Sequence, residues 1–135
     1  MKNATLPCVI TLFEEQPIAG QGTPYRPGWN DPAMLSNIAS IEIPPLAETL
    51  IGWLERLPAR RLADLGLESD EIDDHTFYPR VVLGAFFEDQ CETIVERAQR
   101  EGHDVRIRTS CRVVDAVHSE DGVTLRMRSS RRPES

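Results

Sequence analysis

The chain has 135 residues, of which 40% are hydrophobic and 6% aromatic, and carries a formal charge of −7 from 15 Lys+Arg against 22 Asp+Glu. The length suits one ordinary domain and argues against a two-domain enzyme with a complete cofactor site. The acidic balance repels phosphate backbones at long range, so neither nucleic acid nor an anionic membrane is expected as a partner.

Cys8 to Phe13, read CVITLF, is a short apolar run rich in β-formers that Glu14, Glu15 and Pro17 close. It reads as a strand buried on both faces, as in a parallel sheet. From Ile18 to Pro45 the glycines and prolines Gly20, Gly22, Pro24, Pro27, Gly28, Pro32, Pro44 and Pro45 break every period. A loop region of that length is uncommon unless it serves a site. Leu46, Leu50, Trp53, Leu54 and Leu57 then recur at the spacing of one helical face, with Pro58 ending the pattern and Trp53 facing the core.

A weaker apolar set, Leu62, Leu65 and Leu67, leads into the acids Glu68, Asp70, Glu71, Asp73 and Asp74, which read as a solvated surface because they lack the register and central Gly of a Ca²⁺ loop. Pro79 is placed for a helix start, and Leu83, Phe86, Phe87, Ile94, Val95 and Ala98 predict a long amphipathic helix that Gly102 ends. Three strands follow: Val105 to Thr109, Arg112 to His118, and Val123 to Arg128, the last two joined by a turn at Ser119-Glu120-Asp121-Gly122. Asp104 to Ser135 holds seven Arg against five acids, a basic strand face followed by a solvated tail at 129–135.

Cys8, Cys91 and Cys111 are odd in number and widely spaced, which suggests a reducing compartment, and their apolar surroundings suggest burial. No apolar run approaches the roughly 18 residues of a membrane span, and the start Met-Lys-Asn-Ala-Thr lacks a signal-peptide apolar region. A cytoplasmic location is the expectation. His75, His103 and His118 have no Cys or second His at zinc spacing and read as surface residues; no metal site is expected. No nucleophile elbow is present, and no residue is assigned as catalytic.

A buried strand that ends in an acid and leads into a Gly-rich loop is the order found in dinucleotide-binding folds, where the carboxylate meets the adenosine ribose hydroxyls. Glu14 is placed for that role, with Glu15 beside it, and Gly20-Gln21-Gly22 follows. Each feature alone serves ordinary structure as readily. Together with ITLFEEQPIAGQGTPY, MLSNIASIEIPP, IGWL, FYPRVVLGAFFEDQ and VRIRTSCRVVDAV, they make the chain, over about residues 8 to 128, resemble a bacterial family of FAD/NAD(P)-binding oxidoreductases.

The resemblance implies an α/β fold, a partial Rossmann-like FAD-binding domain over residues 1–128 with a mixed sheet and amphipathic helices. It implies FAD and NAD(P)H as cofactors. The family's phosphate loop G-x-G-x-x-G is absent from the sequence, and that loop supplies the N–H groups that hold a pyrophosphate. The expectation is an internal portion of a flavoprotein whose incomplete sheet leaves an edge and an apolar face for self-association or a complementing chain. By resemblance, Glu14 matches the ribose-binding acid, and Arg80 lies near the flavin. Val113 and Val114 lie on a strand whose backbone contacts the adenine, and Asn37 and Ser40 lie in a loop lining the isoalloxazine pocket. A surface role for Arg80 and a capping role for Asn37 and Ser40 stand beside those readings. A non-catalytic remnant or interaction module that keeps the fold without flavin is the competing class.

Overall fold

The computed structural model describes residues 6–129. Its order is β1 (Val9–Phe13), α1 (Leu50–Arg56), α2 (Ala59–Asp64), α3 (Arg80–Arg100), β2 (Asp104–Arg108), β3 (Cys111–Ser119) and β4 (Gly122–Ser129). The fold is α/β. The chain divides into two units, Met1–Ala19 with Val95–Ser135, and Gly20–Ile94, and α3 runs through both.

Residues 20–94 hold the apolar core. Pro58 ends the α1 pattern as expected, but α1 starts at Leu50 rather than Leu46 because Thr49 accepts the Gly52 N–H on its hydroxyl at 3.1 Å and caps the helix there. Leu46 is left exposed. Leu50, Trp53 and Leu54 on one α1 face pack with Leu62 and Leu67 around Val82, Leu83 and Phe86 of α3. Trp53 is fully buried; its indole meets Phe86 edge-on at 5.5 Å and donates to Asp89 at 2.8 Å, and Asp89 also accepts from Arg61 at 2.8 Å. A buried indole N–H without a partner is costly, so Asp89 allows the large side chain into the core.

The segment Leu35 to Ile41 runs beside Asp74 to Pro79. Ser36 N–H donates to Tyr78, Ser40 N–H to Thr76 and Ile41 N–H to Asp74. That pairing gives the Pro-rich loop its backbone partners without a named strand.

In the other unit β1 and β2 pair in parallel, from Val9↔Asp104 to Phe13↔Arg108. β3 and β4 pair antiparallel around the turn into Gly122, with a bulge between Val113 and Asp115. The parallel arrangement expected of the first strand and the hairpin expected of the last two are both present, but among the described residues they form two separate two-stranded sheets rather than one mixed sheet. Expected burial of β1 on both faces is not observed: Val9 is 63% exposed and Leu12 40%. A parallel strand is covered only when it has neighbours on both sides and helices over its faces, and among the described residues β1 pairs with β2 alone. No helix among the described residues is long and apolar enough to cross a membrane. Of the expected polar tail, residues 130–135 lie outside the described residues.

Candidate functional site

In the strand unit the sequence-derived residues gather where β1 and β2 end. Beyond Phe13, Glu14 N–H still donates to the Arg108 carbonyl at 2.9 Å, and the Glu14 carbonyl accepts from Cys111 N–H at 2.9 Å. Ser110 makes this possible by taking φ 51 between β2 and β3, with its N–H on the Gln16 carbonyl at 2.9 Å. The half-buried Glu14 side chain turns back and accepts the Gln16 N–H at 2.7 Å. Glu15 points to Arg112 of β3, 3.5 Å away and well exposed. Val113 faces Met127, whereas Val114 at the bulge has no opposite residue in the register.

Glu14, Glu15, Val113 and Val114 thus share one end of the strand unit, the carboxyl end of the parallel pair. In open α/β sheets that end is where ligands bind, and bulges are enriched beside such sites. A fixed carboxylate there offers acceptor oxygens to hydroxyl groups.

In the helical unit Gly20 and Gly22 have φ 95 and 71, which only glycine adopts readily. A Cβ on Gly20 would come within 2.8 Å of the Cys91 Cβ and 3.2 Å of the Glu88 Cα, so this glycine lets the loop lie against α3. Gln21, buried between them, donates to Glu88 at 2.7 Å. Ser40 is buried, with its hydroxyl on the Asp73 carbonyl at 3.1 Å, and Asn37 is exposed. Arg80 opens α3; its N–H donates to the Met34 carbonyl at 2.9 Å and its Nε to the Leu35 carbonyl at 3.3 Å. Asn37, Ser40 and Arg80 therefore lie along one antiparallel pairing of loop segments, Arg80 at its Met34–Leu35 end and Ser40 at its Asp73–Thr76 end.

Residue spacing does not show two contacts of this unit. The Arg26 guanidinium lies 5.3 Å over the Trp29 ring, and its NH1 is buried without a hydrogen-bond partner among the described residues. A buried cationic donor in that state is free to take an anionic or carbonyl oxygen. Gly84 takes the Tyr25 backbone so closely that a Cβ would stand 2.3 Å from its carbonyl oxygen. Arg26 sits between prolines with no period around it, and only its position in the long loop marks it.

Asp73, Asp74 and His75 each bring one ligand-type atom within 4.8 Å of the others, all three exposed. Asp73 already accepts the His75 N–H at 2.8 Å, and Tyr78 holds the Asp73 backbone, its hydroxyl accepting the N–H at 2.9 Å. Burial raises the Tyr78 phenol above its ordinary pKa, so it stays protonated in this turn. The expected burial of the three cysteines holds only in part: Cys91 and Cys111 are half-buried, but Cys8 is exposed because β1 lies uncovered. Nor is His103 isolated from cysteine; the fold sets it against Cys8.

The chain is 38% identical over 119 residues to the uncharacterized protein YdhS of Escherichia coli (strain K12), an alignment that covers 88% of this chain and 22% of that protein. No solved structure matches it. The model of one family, described as FAD-NAD(P)-binding, matches residues 1–134. With a match along almost its whole length, the chain belongs to the FAD-NAD(P)-binding family.

Proposed function

We propose that this chain is the FAD-binding region of an FAD/NAD(P)-dependent oxidoreductase, and that Glu14 holds the adenosine ribose. The observation that carries the reading is the half-buried Glu14 carboxylate at the carboxyl end of the parallel β1–β2 pair. One of its oxygens is committed to Gln16 N–H, which fixes the side chain so that the other accepts from ribose hydroxyls. Val113 and Val114 present the β3 backbone to the adenine beside it, and Glu15 steers Arg112 at the rim. The helical unit, taken by itself, offers the Arg26 and Arg80 guanidiniums as cationic donors of the kind that pair with a phosphate or the polar edge of a flavin, and Gly20 and Gly22 keep its loop backbone tight. Asn37 and Ser40 shape that loop; the Ser40 hydroxyl serves it by bonding Asp73. When bound, the flavin would supply the electron transfer and NAD(P)H would be its electron source; the protein contributes binding and orientation. The pyrophosphate cradle comes from outside these 135 residues.

The exposed Val9, Ile10, Leu12 and Ile107 of the parallel pair favour a companion reading. This apolar sheet is completed by a further segment or a second chain, and the chain taken alone keeps the fold without tight flavin binding.

The test is a two-dimensional NMR titration of the isotope-labelled chain with FAD and with AMP, which reads weak binding residue by residue. The expected result is amide shifts at Glu14 to Gln16 and at Val113 and Val114 with both ligands, reduced about tenfold or more in affinity by Glu14→Ala, the loss of a hydrogen bond to a charged group. Absence of shifts at those amides at millimolar ligand would refute the assignment.

A further inference from the structure

Cys8 stands outside the site described above, and the fold gives it a neighbour that Cys91 and Cys111 lack. Its Sγ lies 3.1 Å from Nδ1 of His103, and its backbone N–H donates to the same nitrogen at 3.2 Å. The two residues are 95 positions apart, and two local devices join them. The first is the end of α3, where Gly102 at φ 96 forms a left-handed cap: Gly102 N–H reaches the Gln99 carbonyl and His103 N–H the Ala98 carbonyl, both at 3.0 Å. The second is the parallel register. Val9 faces Asp104, whose N–H donates to the Cys8 carbonyl at 3.0 Å, so one step earlier Cys8 meets His103.

The chemistry follows from the donors. A ring nitrogen that accepts a backbone N–H carries its lone pair there and its proton on Nε2. The Cys8 thiol shares that lone pair, so its own proton points at a base while the sulfur stays exposed. A thiol in hydrogen-bond reach of a basic imidazole, open to solvent, is the arrangement of an activated sulfur nucleophile. Cys91 contrasts with it: half-buried on α3, its thiol is pushed up in pKa by burial and then by the Glu92 charge. Cys111 is half-buried at the start of β3.

We propose that Cys8 and His103 form a thiol-exchange site that reacts with low-molecular-weight disulfides, making Cys8 a position of reversible S-thiolation. The thiol proton passes to His103 Nδ1, and the Cys8 sulfur pair forms a bond to one sulfur of the disulfide. The S–S bond breaks, and its electron pair leaves on the second sulfur, which then takes up a proton. One mixed disulfide and one small thiol result; the small disulfide is the oxidant, and nothing else is consumed. This site is independent of flavin binding.

The experiment exposes the full chain to hydroxyethyl disulfide at neutral pH and follows each cysteine by peptide mass spectrometry, with N-acetylcysteine as the unassisted reference. Cys8 is expected to react about tenfold faster than the reference, a modest share of what a positioned base supplies, and Cys91 and Cys111 more slowly than it. His103→Gln keeps an oxygen for the Cys8 N–H and removes the base, so Cys8 falls to the reference rate while the circular dichroism stays that of the parent. A Cys8 rate less than about threefold above the reference in the unaltered chain overturns the proposal without any variant. So does a folded His103→Gln chain that keeps the full rate.

Discussion

Replacing Gly84 by alanine separates two physical effects of opposite sign. Gly84 is buried inside α3, where glycine normally costs a helix about 1 kcal/mol relative to alanine, so propensity alone expects Gly84→Ala to stabilise. Packing expects the reverse. The added Cβ would lie 2.3 Å from the Tyr25 carbonyl oxygen and 3.1 Å from its carbon, whereas a close carbon–oxygen contact needs about 3.3 Å. Backbone cannot rotate aside as a side chain does, so the loop at Tyr25 must retreat by about 1 Å, taking the Tyr25–Phe87 ring contact at 5.4 Å with it. Overpacking of this kind costs about 1–3 kcal/mol, and a backbone obstacle belongs at the upper end. Less the propensity gain, the net loss is about 2 kcal/mol, or about 8 °C in Tm for a chain of this size. Urea and thermal unfolding of the two proteins measure it. A Gly84→Ala chain as stable as its parent, or more so, refutes the close approach and leaves propensity in charge.

Gln90 is fully buried; its oxygen accepts the Glu48 N–H at 3.0 Å and its amide donates to the Glu48 carboxylate at 3.2 Å. Gln90→Leu strands that backbone N–H and is expected to lower stability by about 1–3 kcal/mol in urea unfolding; a change below about 0.5 kcal/mol would show that water serves the amide as well. Glu48 also carries a pH signature. The hydrogen-bonded Arg56 guanidinium holds its carboxyl below the ordinary 4.5, outweighing the upward push of burial. A folded-state pKa below the unfolded one stabilises fully above the unfolded value, and the gain is lost as pH falls through the folded value. Relative to Arg56→Gln, the parent chain should therefore lose more stability between about pH 6 and 3, and parallel melting profiles would count against the pair.

The periodic elements were legible because their signals are local. Apolar spacing in α3, alternation in β3 and β4, and Gly102 and Gly122 at the turns each express a preference that a few neighbouring residues satisfy among themselves. The start of α1 was misplaced for a similar reason: Leu46 continues the helical spacing, but the Thr49 cap decides where the first turn closes. Glu14 at the end of a β-forming run, and the acid-then-glycine order after it, mark the carboxyl end of a strand through residue type alone.

Contacts between distant segments were not legible. Composition could not say that β1 would have β2 as its sole partner among the described residues and leave Val9 and Leu12 in water, because burial depends on what covers a strand and not on the strand. Arg26 gives no period, and only the folded chain shows its NH1 buried without a partner among the described residues. The Cys8–His103 pair joins residues that share no motif; a glycine cap and a parallel register bring them to 3.1 Å. By itself the sequence determined the α/β elements, the acid at the strand end and the family, since these rest on local conformational preference and residue type. The tertiary structure alone decided which donors and acceptors meet, because hydrogen bonds act over about 3 Å and only the folded chain brings such groups that close.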